Sequence, residues 1–346
     1  MSENSFNSVL SWYLSNKSNY VFEKEPWNEK LFSQMLCFNF LKLQSDIDRQ
    51  KIIFIEKGFC NTFYPEDYNK DHLQPIQKLR NHCLNLFEKQ FVDDIILHGS
   101  YGTLDYKLGW SDLDVSVVVA AKVFDNQGSL VKLRKELNNI SQYLYEIDPL
   151  QHHEFLISTA LSQTFSKTPL MPPEVLIHGR SLINQSTLRM NKNQITSDSA
   201  KLKLSRILAL LNESSNNGYL NHHSYKSIFL DAELKNKNCM YQLKYFLSII
   251  MTVPAYFYNA IGRPLYKGNS FDAIRSEYNF DLEILDKASL IRKCWPEKER
   301  HPYPDNKVPA WVENILAPAF FERAVKYVEQ FVLEIERSGS NYRYKL

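Results

Sequence analysis

The chain has 346 residues, 44% of them hydrophobic, enough for one large core or two to three smaller ones. A formal net charge of +2, with acids and bases interspersed, leaves no long basic tract of the kind a dedicated duplex-binding protein carries. Cys37, Cys60, Cys83, Cys239 and Cys294 are odd in number and lack CxxC spacing, which argues against a zinc site or disulfide framework and for a reducing, cytoplasmic setting.

In chain order, Met1-Ser2-Glu3-Asn4-Ser5 lacks the basic and apolar regions of a signal peptide. Residues 1–90 read as an N-terminal helical cap. Leu31, Met35 and Phe38 suggest one helix there, and Ile52-Ile53-Phe54-Ile55 a short buried segment. Asp71 is placed to cap a later helix with Pro75 in its first turn, followed by Ile76, Leu79, Cys83 and Leu86 at helical spacing. A core spans residues 91–185, with strands expected at Ile95–His98 and Leu113–Val119. Leu130, Leu133, Leu137, Ile140 and Leu144 then keep a 3-4-3-4 rhythm, one amphipathic helix that Asp148-Pro149 ends. Gln151–Ser158 reads as a third strand, and Pro169, Pro172 and Pro173 mark a loop before Val175-Leu176-Ile177.

Ser186–Ser197 is polar, without periodicity, and reads as a linker. Residues 198–346 read as a C-terminal helical domain: Leu202, Ile207, Leu208 and Leu211 open it, Leu285, Ala288 and Ile291 mark another helix, and Phe320–Ile335 a last one. Tyr245–Gly262 carries no charged residue, but Pro254 and the polar Ser248, Thr252 and Asn259 favour a buried helix pair bent near Pro254 over a membrane span. The fold class is therefore α+β, a short mixed sheet with helices, flanked by helical regions, with no membrane partner expected.

The most informative stretch is Leu97-His98-Gly99-Ser100-Tyr101-Gly102-Thr103, followed by Trp110-Ser111-Asp112-Leu113-Asp114-Val115. Gly99 lets backbone approach a ligand closely, and Ser100 offers a hydroxyl and an amide at the start of the next element. On a strand, Asp112 and Asp114 point the same way. Paired carboxylates repel each other, which packing does not explain, and suit a hard divalent cation such as Mg2+. A phosphate holder beside a metal holder suggests chemistry on a nucleoside triphosphate.

Gly99-Ser100 and Ser111-Asp112-Leu113-Asp114 between hydrophobic strands resemble the signature of the DNA polymerase β-like nucleotidyltransferase superfamily. The form is closest to its non-templated branches, the antibiotic and minimal nucleotidyltransferases, second-messenger synthases and toxin relatives. The resemblance is specific over Asp94–Val119 and extends more weakly to Ile183. It implies two Mg2+ ions bridged by Asp112 and Asp114, with an NTP, ATP among them, as substrate. Gly99, Ser100 and Ser111 would hold the nucleotide. A third carboxylate on a neighbouring strand is also implied: Glu154 is the candidate and Asp148 the runner-up. The neighbouring His152 and His153 read as substrate contacts, a general base, ligands for a softer metal, or packing. The resemblance further implies that C-terminal helices close over the nucleotide and supply a lysine, for which Lys244 and Lys267 are candidates.

The activity implied is a phosphorus-group transfer of the EC 2.7.7 type, moving an NMP to a hydroxyl acceptor with release of pyrophosphate. A small-molecule acceptor suits the near-neutral charge. Modification of tRNA or protein, second-messenger synthesis, and a degenerate nucleotide-binding scaffold are the alternatives, because one fold hosts many acceptors.

Overall fold

The computed structural model describes residues 3–15, 18–47, 54–58, 61–149, 151, 153–165, 173–184, 187–191, 197–217, 240–298, 308–316 and 319–342. Ile52, Ile53, Cys60, His152, Pro169, Pro172 and Cys239 lie outside them. The chain clusters as two compact units, Met1–Tyr106 with Ser111–Gln194, and Lys107–Trp110 with Ile195–Leu346.

The first unit is built on strands β1 (Phe54–Gly58), β2 (Asn61–Thr62), β3 (Val92–Leu97), β4 (Val115–Val119), β5 (Leu156–Thr159), β6 (Arg180–Ser181) and β7 (Thr187–Asn191). Its five-stranded sheet has the order β2-β6-β3-β4-β5. The sheet is mixed: β3 is antiparallel to both β4 and β6, whereas β4 is parallel to β5 and β2 to β6. β1 and β7 form a separate antiparallel pair. Two strands thus fall within residues 1–90, which read as a helical cap with one short buried segment; Phe54 and Ile55 of that segment open β1. Part of the supposed linker, Thr187–Asn191, is also a strand. Both segments are short and partly polar, and they become strands only by finding distant partners.

β4 is buried along its whole length because both faces of the sheet are covered, so it reads as an apolar run without alternation. Val115, Val117 and Val119 share one cluster with Ile95, Leu97 and Ile157, while Val118 meets Ile96 and Leu176 on the opposite face. The helix Gln127–Ile140 starts where the Asn126 side chain accepts from Gly128 N at 2.7 Å. Leu130, Leu133, Leu137 and Ile140 are buried as expected, but Leu144 belongs to a second short helix, Gln142–Ile147. Ser141 makes the break: its hydroxyl donates to Asn138 O at 2.7 Å and competes with the helical ladder.

The helix Gln74–Glu88 buries Ile76, Leu79, Cys83 and Leu86, with Pro75 in its first turn. Asp71 does not cap it; that residue lies in the preceding 3-10 turn, and Leu73 occupies the cap position. The helix Pro26–Ile47 exists as expected, yet Leu31, Met35 and Phe38 face outward. The opposite face, Ser33, Leu36, Cys37 and Phe40, is the one buried, with Phe40 stacked on Phe124 at 3.9 Å. The N-terminal helices are further tied to Gln127–Ile140 by an inward ion pair of Arg134 with Glu29 at 2.7 Å. The Arg134 guanidinium also lies over the Tyr13 and Phe22 rings.

The second unit is helical: Ser197–Asn217, Met240–Ala260, Lys267–Glu277, Glu283–Lys298, Ala310–Leu316 and Phe320–Tyr342. Of the residues expected to open it, Ile207 and Leu211 are buried, Leu208 is half-buried and Leu202 is exposed; Ala200, Leu204 and Ser214 complete the buried face of this helix. Leu285, Ala288 and Ile291 are buried as their spacing predicts. Within this unit Trp295 contacts Trp110 and Trp311, and Phe257 contacts Tyr278 and Phe331. Among the described residues no helix is long and apolar enough to cross a membrane.

The expected helix pair around Pro254 is one continuous helix, Met240–Ala260. A proline inside a helix has no N–H for the carbonyl four residues earlier, here Ile250 O. Tyr327 OH donates to that carbonyl at 3.4 Å from the Phe320–Tyr342 helix, so the orphaned acceptor is satisfied across the helix packing. Tyr327→Phe should lower the stability of this unit by about 1 kcal/mol in denaturant unfolding, with helical content unchanged. An unaltered unfolding curve would show that the Tyr327 hydroxyl has no such role.

Candidate active site

β3 runs into a single helical turn, Gly99–Gly102, and the two ends of this turn are held in different ways. At its start Gly99 has φ +61°, a left-handed conformation that favours glycine. A Cβ there would stand 2.1 Å from Asp114 Oδ2. The missing side chain is therefore what lets the Asp114 carboxylate lie against the turn, and His98 N donates to Asp114 O at 3.0 Å beside it. At the far end Tyr68 OH donates to Tyr101 O at 2.6 Å, and Arg180 Nε donates to Gly102 O at 2.9 Å. Arg180 also bonds Thr62 O at 2.8 Å and pairs with Asp67 at 3.2 Å. Thr103 Oγ1 donates back to Gly99 O at 3.1 Å.

Asp112 and Asp114 precede β4 rather than lying on it. The expected strand began at Leu113, but the ladder starts at Val115. Its place is taken by a side chain: Gln151 Oε1 accepts from Leu113 N at 3.1 Å, and Gln151 Nε2 donates to Leu113 O at 3.2 Å. Gln151 Nε2 also donates to His153 O at 3.0 Å. The segment after Gln151 is correspondingly not strand until Leu156. One buried amide thus substitutes for a neighbouring strand and holds the acid loop to the histidine segment at once.

The two carboxylates still converge, as same-face placement required. His153 Nε2 lies 2.8 Å from Asp114 Oδ1 and 3.5 Å from Asp112 Oδ2. Among the described residues these three form a cluster whose ligand atoms all lie within 4.8 Å of one another. Burial opposes a charged His153, but its contacts with Asp112 and Asp114 outweigh this and hold its pKa well above the usual histidine value. His98 is the contrasting case: burial keeps it below the ordinary value, against a smaller pull from Asp114. Its Nε2 is buried without a hydrogen-bond partner. The donor set of two carboxylates and an imidazole fits a divalent cation.

The remaining sequence candidates are placed as follows. Ser100 is half-buried in the turn, and Ser111 is buried just before the acids. Glu154 is half-buried next to His153 and is not a member of the three-residue cluster; after burial, its charge is what raises the Tyr145 phenol. Asp148 is buried at the helix end, where its carbonyl accepts from Gln151 N at 2.9 Å. In the second unit Lys244 is buried on Met240–Ala260, and Lys267 opens the helix Lys267–Glu277 instead of sitting in a loop. Gln151, Tyr68 and Arg180 escaped the sequence reading. Gln151 lay within the expected strand, and nothing in single-sequence spacing links Tyr68 or Arg180 to a turn 33 or 78 residues away.

Gly99→Ala should cost about 1–2 kcal/mol for the left-handed backbone alone, before any displacement of Asp114. A melting temperature lower by about 2–4 °C per kcal/mol is the readout. Gln151→Ala leaves the Leu113 N–H and C=O without their partner. It should cost about 2 kcal/mol and accelerate amide exchange at Leu113, whereas unchanged exchange would remove Gln151 from this role.

Comparison with protein-family models matches residues 76–169 to the nucleotidyltransferase domain. Comparisons with curated proteins and with solved structures return no match. The matched span runs from the helix under the sheet through the Gly99 turn, the two aspartates and β5, so it contains every member of the cluster. The chain therefore carries a nucleotidyltransferase domain, consistent with the polymerase β-like superfamily that its turn and paired acids resemble.

Proposed function

We propose that this protein transfers a nucleoside monophosphate from an NTP to a hydroxyl acceptor, a small molecule, and releases pyrophosphate. The observation that carries this reading is the contact of the Asp114 carboxylate with Gly99, which sets a metal holder directly against a phosphate turn. Divalent cations, when bound, supply charge neutralisation on the triphosphate and lower the pKa of the acceptor hydroxyl. In this reading Asp112 and Asp114 would hold such ions, Mg2+ being the one the family resemblance implies.

The chain's own part is positioning. Gly99 and the Ser100 hydroxyl and amide hold the terminal phosphates, leaving the α-phosphorus beside the acids. The acceptor oxygen forms its bond to that phosphorus in line as the bond to the pyrophosphate oxygen breaks. Ser111, buried just before the acids, joins Gly99 and Ser100 in holding the nucleotide, and Glu154 supplies a further carboxylate next to the cluster. Lys244 or Lys267 is the lysine that the family resemblance would assign to the triphosphate. The near-neutral charge and absence of a basic run support a small acceptor over a nucleic acid, in a cytoplasmic setting.

Pyrophosphate release should appear when the protein, an NTP and a pool of hydroxyl acceptors are combined with a divalent cation. Asp112→Asn should lower it at least about a hundredfold, with the circular-dichroism spectrum unchanged. An Asn variant that turns over as the parent does would overturn the assignment. Tight NTP binding by the parent without release from any acceptor would overturn the transfer reading.

A further inference from the structure

We propose that His153 is the third ligand of the cation held by Asp112 and Asp114, and that its imidazole makes the site select a first-row transition dication such as Mn2+ over Mg2+. This rests on the metal reading above and departs from it in both the ligand and the ion.

The first support is separation. Donors at neighbouring corners of an octahedron with bonds of about 2.1 Å stand about 3.0 Å apart. His153 Nε2 lies 2.8 Å from Asp114 Oδ1 and 3.5 Å from Asp112 Oδ2, so these atoms already have the spacing of ligands on one ion.

The second support is the other ring nitrogen. A histidine that coordinates through Nε2 donates its Nδ1–H to an outer partner, and that bond sets ring angle and tautomer. His153 Nδ1 lies 3.1 Å from Glu154 O, a pure acceptor. It is also 3.1 Å from Gln151 Nε2. That amide nitrogen has only two hydrogens, however, and Leu113 O and His153 O take them at 3.2 and 3.0 Å. Nδ1 is therefore the donor, to Glu154 O, and Nε2 is the ring nitrogen that faces the carboxylates. Gln151 thus positions both the acids and the ring, while Glu154 takes part through its backbone carbonyl.

The third support is ligand chemistry. Mg2+ favours carboxylate, phosphate and water oxygens, and an imidazole adds little to its binding. Transition dications accept nitrogen readily while keeping carboxylates and water, so replacing one oxygen donor by imidazole shifts preference toward them.

The test is metal binding to the full chain, without substrate. Calorimetry should give Mn2+ an affinity at least about tenfold above that of Mg2+. Spin-echo modulation from a coordinated nitrogen should appear on bound Mn2+. His153→Ala should weaken Mn2+ about tenfold or more and abolish the nitrogen signal, with little change for Mg2+. His153→Asp, which restores an oxygen donor, should bring the two affinities together. Mn2+ bound without a nitrogen signal, or a Mn2+/Mg2+ ratio indifferent to His153→Asp, overturns this inference and leaves the metal reading intact. If neither ion binds the parent chain, the metal reading falls as well.

Discussion

Two carboxylates one residue apart cannot be held together without positive charge between or beside them, and the first unit is organised around that requirement. Asp112 and Asp114 reach the same point in space, and His153 Nε2 meets both of them there. Burial opposes charge on this imidazole, yet its contacts with the two carboxylates hold its pKa well above the ordinary value. The same convergence that demands a charge also provides the donors to hold a metal. Repulsion between the acids is thus the physical cost that a bound cation relieves.

The convergence is maintained by contacts that individually look structural. Gly99 contributes by lacking a side chain, so that a carboxylate occupies the space a Cβ would take. Gln151 contributes by imitating a strand, filling the Leu113 donor and acceptor that the sheet leaves open. Tyr68 and Arg180 hold the carbonyl end of the turn. Gln151, Tyr68 and Arg180 each bond backbone polar atoms of the turn or the acid loop, and a loop so satisfied does not rearrange freely. Rigidity at the turn and at the acid loop follows from this accounting of hydrogen bonds.

The second unit shows the same logic inside a helix. Pro254 deprives one carbonyl of its donor inside a long helix, and a tyrosine from another helix answers it. The result is a continuous helix through a residue that usually breaks helices, with the surrounding aromatic rings packed edge to face around Phe257.

Local chemistry and periodicity determined a good deal by themselves. The glycine-serine turn, the paired acids and the apolar strands around them identified the domain type, because their spacing along the chain is short and their chemistry is unusual. The leucine rhythm after Leu130 and the cysteine-containing face of Gln74–Glu88 were legible for the same reason: helical neighbours lie three or four residues apart. What only tertiary structure decided was which distant groups meet. Phe38 and Phe40 are equally apolar, yet Phe40 alone finds Phe124 and is buried. His153, open in the sequence to several roles, is drawn to the acids while Glu154 is not in their cluster, because the segment beyond Gln151 leaves the strand and alternation no longer assigns its faces. Long-range pairing sets such choices, since the energy that makes them belongs to contacts no local pattern contains.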